Sequence, residues 1–113
     1  MINQMTINGV NAVITYDPDC DLFRGEFIGI NGGADFYASD IAGLKREGEI
    51  SLRVFMEACK EEGVEPLKTY SGKFVLRIPP ADHAAVSKAA IVSGKSLNQW
   101  VGEVLRQVAH QVV

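Results

Sequence analysis

Lys73-Phe74-Val75-Leu76-Arg77-Ile78-Pro79-Pro80 is the stretch on which the reading of this chain turns. It alternates strictly. Successive strand side chains face opposite sides, so Lys73, Val75 and Arg77 share one face and Phe74, Leu76 and Ile78 the other. The two prolines stop the strand, because proline cannot donate to a ladder and holds φ near a helical value. No second strand signal follows. The spacing therefore predicts a strand that pairs with the same strand of a second copy of the chain.

Residues 81–93 place Ala84, Ala85, Val86, Ala89, Ala90 and Val92 at helical spacing. Ser93-Gly94-Lys95 ends that helix, with Gly94 in the usual position after a helix end. Ser96 caps a second helix, and Gln99 three residues later completes a capping box. Leu97, Val101, Val104, Leu105 and Val108 form its apolar stripe, with Trp100 beside it.

This order of strand, proline stop, helix, Gly94-Lys95-Ser96-Leu97-Asn98 turn and helix resembles the ribbon-helix-helix repressors over 71–108. The resemblance implies an intertwined dimer whose paired strands enter the DNA major groove, which admits a two-stranded ribbon. It implies Lys73, Val75 and Arg77 as base-reading residues, and Ser96, Leu97 and Asn98 as a phosphate site at a helix start. Phe74, Leu76 and Ile78, with Trp100, Val101 and Leu105, would form the shared dimer core. Valine at the central outward position departs from the polar residue often found there and reads less of the base edge.

Charge divides the chain. Residues 1–70 carry twelve acidic and six basic side chains, a net of −6, whereas residues 71–113 carry two and five, a net of +3. Two domains are expected, 1–70 and 71–113, the acidic one suited to a cationic protein and the basic one to nucleic acid. About forty residues is near the lower limit for a chain that folds alone, which again favours a second copy. No basic patch followed by an apolar run marks a secretory signal, and no stretch is long enough to span a membrane. Cys20 and Cys59 match no metal spacing and read as reduced thiols of a cytoplasmic protein.

Residues 1–8 read as a short, polar, frayed end. Val10–Tyr16 and Leu22–Ile30 read as a hairpin around Asp17-Pro18-Asp19-Cys20-Asp21, and Asn31-Gly32-Gly33 turns the chain into a third strand, 34–38. Ser39 is expected to cap a long helix, 40–62, that Gly63 ends. Ile41, Leu44, Gly48, Leu52, Phe55, Met56 and Cys59 fall on one face of it, and Gly48 implies a kink or a close contact. Pro66 keeps Val64–Tyr70 extended, and Ser71-Gly72 is the hinge.

The fold class is thus α+β: a small three-stranded antiparallel sheet plus a long helix, followed by the dimerising tail. Phe23-Arg24-Gly25-Glu26-Phe27, Asp35-Phe36-Tyr37-Ala38, Cys59–Pro66, Tyr70–Pro79 and Ser96–Trp100 together resemble the HicB antitoxins that carry a ribbon-helix-helix tail. The resemblance implies a partial RNase H-like first domain that covers a HicA-like toxin, a small basic protein that cuts messenger RNA. It implies a tail that represses the pair's own operator, as a homodimer or a dimer of dimers.

The residues argue against an enzyme, a resident metal or a cofactor. Asp17, Asp19 and Asp21 imitate half a calcium loop, but Leu22 stands where glycine should and Ile28 where the closing glutamate should. They read as a turn. His83 and His110 have no nucleophile or ligand partner at a useful spacing, and Gly32-Gly33 is a turn rather than a phosphate cradle. Glu47, Glu49, Glu57, Glu61 and Glu62 give the long helix either a solvated face, with pairs such as Glu49–Arg53, or a surface for a basic toxin. The competing reading is a solitary regulator whose first domain senses a ligand or aids oligomerisation.

Overall fold

A computed structural model of the chain describes residues 3–112. The chain divides into two units, one ending at Ser71 and one starting at Gly72.

The first unit opens with a hairpin where the polar composition of residues 1–8 predicts a frayed end; Met1 and Ile2 lie outside the described residues. β1 (Asn3–Ile7) and β2 (Val10–Asp17) are joined by Asn8-Gly9, both with positive φ. Such a two-residue turn matches the twist of the flanking strands, and Asn-Gly tolerates its backbone best. β3 (Leu22–Phe27) and β4 (Asp35–Ala38) complete a sheet of order β1-β2-β3-β4, antiparallel throughout. The sheet therefore has four strands where three were expected. Met5 and Ile7 face inward and Gln4 and Thr6 outward, while Asn3 at the strand's start is exposed as well. That is the alternation of an edge strand with one wet face.

α1 (Ile41–Glu62) covers the other face. Its N-cap is Asp40 rather than Ser39: the Asp40 carboxylate accepts from the Gly43 amide at 2.6 Å, the three-residue reach a cap needs. Gly63, at φ 69°, ends it, and the amides of Gly63 and Val64 return to the carbonyls of Lys60 and Cys59. Leu44, Leu52 and Cys59 are buried, but Ile41 is mostly exposed. Gly48 marks a close contact. The Phe36 ring lies between Gly25 of β3 and Gly48 of α1, and a Cβ at either glycine would overlap that ring or the end of Ile7. Phe27 packs against Phe36 with ring centroids 5.1 Å apart. Ile7, Val10, Ala12, Phe27, Ile30, Ala34, Phe36, Leu44 and Leu52 form the core of this unit.

The extended stretch after α1 is tied to the sheet. Ile30 bridges Leu67, the Asn31 amide donates to Pro66 O (2.9 Å), and the Lys68 amide donates to Gly29 O (3.0 Å). The Asn31 side chain adds bonds to the carbonyls of Glu65 and Leu67.

The second unit contains α2 (Pro80–Val92) and α3 (Leu97–Val112). Pro80 starts α2 at the position where its missing N–H costs nothing. Its end is closed by bonds from the Lys95 amide to Ala90 O and from the Gly94 amide to Ile91 O, with Gly94 at φ 70°. At the start of α3 the capping box closes both ways: the Gln99 amide donates to Ser96 Oγ (3.1 Å), and the Ser96 amide donates to Gln99 Oε1 (3.1 Å). Residues 74–78 join no ladder among the described residues. A strand has no internal hydrogen bonds, so within one chain the expected strand is not formed.

No helix of the described residues is long and apolar enough to cross a membrane.

Candidate functional site

In the second unit the stretch before α2 borders one groove with residues of both expected faces, Lys73 and Arg77 as well as Phe74, Leu76 and Ile78. Phe74, Leu76 and Ile78 line a groove of about 860 Å³ whose other walls include Val86 of α2 and Leu97, Val101 and Leu105 of α3. Val75 is not part of that lining, and at 85 % it is the most exposed residue of the segment's apolar set. Arg77 has no ion-pair partner among the described residues. The side chains expected to be inward thus meet around one space, but Lys73 and Arg77, expected to face outward, border it too, and of that set only Val75 stands away from it. Trp100 is half-buried and lies outside the lining.

The groove is not filled by its own chain. Ala90 is the only described residue of this unit that is buried. Phe74 is 75 % exposed and Leu76 is 55 % exposed. Exposed apolar surface of this extent is uncommon on a small unit that stands alone.

The start of α3 has a narrower capacity than expected. The Ser96 amide is already held by Gln99, so of the three residues assigned to a phosphate it is Leu97 and Asn98 whose amides lie open in the first turn. Lys95, one residue before the cap, pairs with Glu103 of α3. His83 lines the groove from the first turn of α2, and His110 stands on exposed helix surface.

In the first unit, Asp17, Asp19 and Asp21 form a turn held by its own bonds. The Asp19 amide donates to Asp17 Oδ1 (3.0 Å), and the Tyr16 hydroxyl donates to Asp21 Oδ1 (2.6 Å). That bond to a carboxylate, helped by partial desolvation and neighbouring negative charge, pushes the Tyr16 phenol above its ordinary value. No group of three His, Cys, Asp or Glu side chains among the described residues is placed to hold a metal ion.

Arg24 stands on the sheet face that α1 leaves open. It gives Asp35 Oδ2 two bonds, from Nε (3.1 Å) and Nη2 (2.5 Å), and lies 3.7 Å from Glu26. The Asp35 hydrogen bonds and charge, with Glu26 adding to them, hold the guanidinium pKa above its already high value. On α1 the expected Glu49–Arg53 pair does not form; Arg46 and Glu47 approach to 3.9 Å instead. Glu49, Glu57, Glu61 and Glu62 are exposed and Glu47 is half-buried.

One feature of the first unit was not anticipated from the sequence. A groove of about 700 Å³ runs between β4 and α1, flanked by Tyr37, Ile50 and Val54. Ile50 and Val54, four residues apart and off the buried stripe, were the available signal.

Residues 55–105 match the family model of the HicB family. The matched segment begins within α1 and ends within α3. It supports membership of the chain in that family, as the quoted motifs led one to expect. No curated protein and no solved structure matches the chain.

Proposed function

From membership of the HicB family we propose that this chain is the antitoxin of a HicA/HicB-type toxin–antitoxin pair. On this reading it neutralises a small mRNA-cleaving toxin by direct binding through its acidic first unit. It represses its own operon through the second, and both tasks belong in the cytoplasm. It performs no catalysis of its own and needs no cofactor.

The observation that carries the DNA-binding half is the open apolar groove of the second unit. Two copies of the chain fill it for each other. Phe74, Leu76 and Ile78 pair strand to strand and pack on the partner's α2 and α3, giving a ribbon-helix-helix dimer. The pairing turns Lys73, Val75 and Arg77 outward twice over, side by side, on a ribbon narrow enough for the major groove. Arg77 donates to guanine O6 and N7 or to a neighbouring phosphate, and Val75 meets a thymine methyl. The open amides of Leu97 and Asn98 hold a backbone phosphate at the positive end of α3. The toxin-binding half rests on the family match and on the −6 net charge of residues 1–70.

The test is a gel shift of the full chain on the DNA upstream of its own gene. Arg77→Ala is expected to weaken specific binding by about 1–3 kcal/mol, roughly fivefold to 150-fold, if Arg77 reads a base. Unchanged affinity rejects that role. Retention of operator binding by a strictly monomeric chain rejects the ribbon.

A further inference from the structure

The sheet has two outer edges, and they differ. Along β4 the Phe27 amide donates to Ala34 O (3.1 Å). In an antiparallel pair this sets the alternation, so Phe36 and Ala38 turn their peptide groups toward β3, and Asp35 and Tyr37 turn theirs outward. The outward edge is met by α1 at one point, where Ser51 Oγ donates to Asp35 O (3.1 Å). A carbonyl has two lone pairs, so this bond leaves it able to accept another. Beside the edge lies the 700 Å³ groove, with Ile50 and Val54 exposed along its helical wall.

Its charge is one-sided. Asp35 and Glu47 line it, and no lysine or arginine does. Both bonds from Arg24 go to Asp35 Oδ2, so Oδ1 takes none from it. The β1 edge, by contrast, carries exposed polar Asn3, Gln4 and Thr6. Proteins usually protect an edge strand with cations, proline or a bulge. None of these stands on Asp35–Ala38.

We propose that the β4 edge and the adjoining lane of α1 receive an extended segment of the basic protein that this unit neutralises. The segment adds as a fifth strand, exchanging main-chain bonds with Tyr37. It lays its apolar side chains on Ile50 and Val54 and brings cations to Asp35 and Glu47. A helix would leave the peptide groups of Tyr37 unmatched, whereas a strand matches them. This inference rests on the antitoxin reading and says where that reading acts.

The test uses the full chain and the purified HicA-type toxin encoded beside it. Val54→Lys and Ile50→Lys are expected each to weaken toxin binding by about tenfold or more, by placing an unpaired cation in the interface. Both positions are exposed, so the melting curve should not move. Gln4→Lys, on the opposite edge, should bind like the parent chain. In hydrogen exchange the Tyr37 amide should slow in the complex, while those of Gln4 and Thr6 should not. If the parent binds toxin but both lysine variants bind equally well and Tyr37 gains no protection, the proposal is wrong and the antitoxin reading stands. If Tyr37 is already protected without toxin, in a concentration-dependent way, the edge belongs to a second copy and the proposal is wrong. If the parent chain does not bind the toxin, the reading and the proposal fall together.

Discussion

Leu44 and Leu76 are the same residue in two different situations. Leu44, on α1, is 2 % exposed, enclosed by a sheet and a helix of its own unit. Leu76, in the stretch before α2, is 55 % exposed and lines a groove that nothing in its unit fills. The first unit closes its core within one chain, and the second does not. The sheet explains why. Four short strands give the first unit an apolar face wide enough for a six-turn helix to cover. The second unit has two helices and a segment with no ladder. Two helices alone leave one side of each apolar stripe uncovered, and the proposed second copy would supply the missing burial.

The largest effect that can test this contrast is on the second unit. Leu76→Ala combined with Leu105→Ala removes side chains that are half-exposed in one chain. If the groove is filled by a second copy, each substitution acts as a core truncation of about 2–5 kcal/mol, counted twice in a symmetric dimer. The sum is about 8 kcal/mol or more, so dimer dissociation should rise by at least a thousandfold, about 4 kcal/mol, even where relaxation recovers half of it. Trp100, the only tryptophan, reports this unit by its fluorescence. Its unfolding transition should move with protein concentration in the parent and vanish in the double variant. A shift below about 1 kcal/mol, the size expected of exposed sites, breaks the contrast.

The next effect belongs to the first unit. Gly25→Ala puts a methyl group where the Phe36 ring sits. Overpacking of this kind costs about 1–3 kcal/mol. The β-sheet transition seen by circular dichroism should fall in temperature by the same amount at every protein concentration, with Trp100 fluorescence unmoved. A concentration dependence here would mean that the first unit also borrows burial from a neighbour.

What could be read from the residues follows the same division between local and non-local. α1 and the α3 capping box are local patterns, and Leu44, Leu52, Ser96 and Gln99 sit where their spacing put them. The cap falls at Asp40 rather than the expected Ser39 because serine and aspartate cap equally well, and the extended backbone at 40 decides. β1 forms where Asn3, Gln4 and Thr6 predict a loose end, because Asn8-Gly9 closes the hairpin and Met5 and Ile7 give the strand an inward face. The anchoring of Leu67 to Ile30 had no local signal, since the partners lie far apart in the chain. Neither had the β4–α1 groove, which exists only once a strand and a helix from separate stretches are set side by side. In the second unit, Phe74, Leu76, Ile78, Val101 and Leu105 were named as one apolar set, and the structure brings them around one groove. Trp100 was named with them and stands outside it.

The smallest effect sharpens the picture of the self-contained unit. Tyr16 is the last residue but one of β2, and its hydroxyl donates to the Asp21 carboxylate across the turn into β3, while its ring meets Phe23 edge-on with centroids 6.4 Å apart. The bond raises the phenol pKa in the folded state. An acid whose folded pKa lies above its unfolded value of about 10 stabilises the fold below that pH and loses the contribution as pH climbs through the folded value. Tyr16→Phe keeps the ring contact and removes the proton. The variant should therefore be slightly less stable than the parent at neutral pH, and the difference should close in alkaline solution above about pH 10. The site is exposed and solvent-screened, so only a small shift in melting temperature is expected, confined to the first unit's transition. Parallel stability curves for the two proteins from pH 7 to pH 11 would show that the Tyr16–Asp21 bond contributes nothing to holding the hairpin.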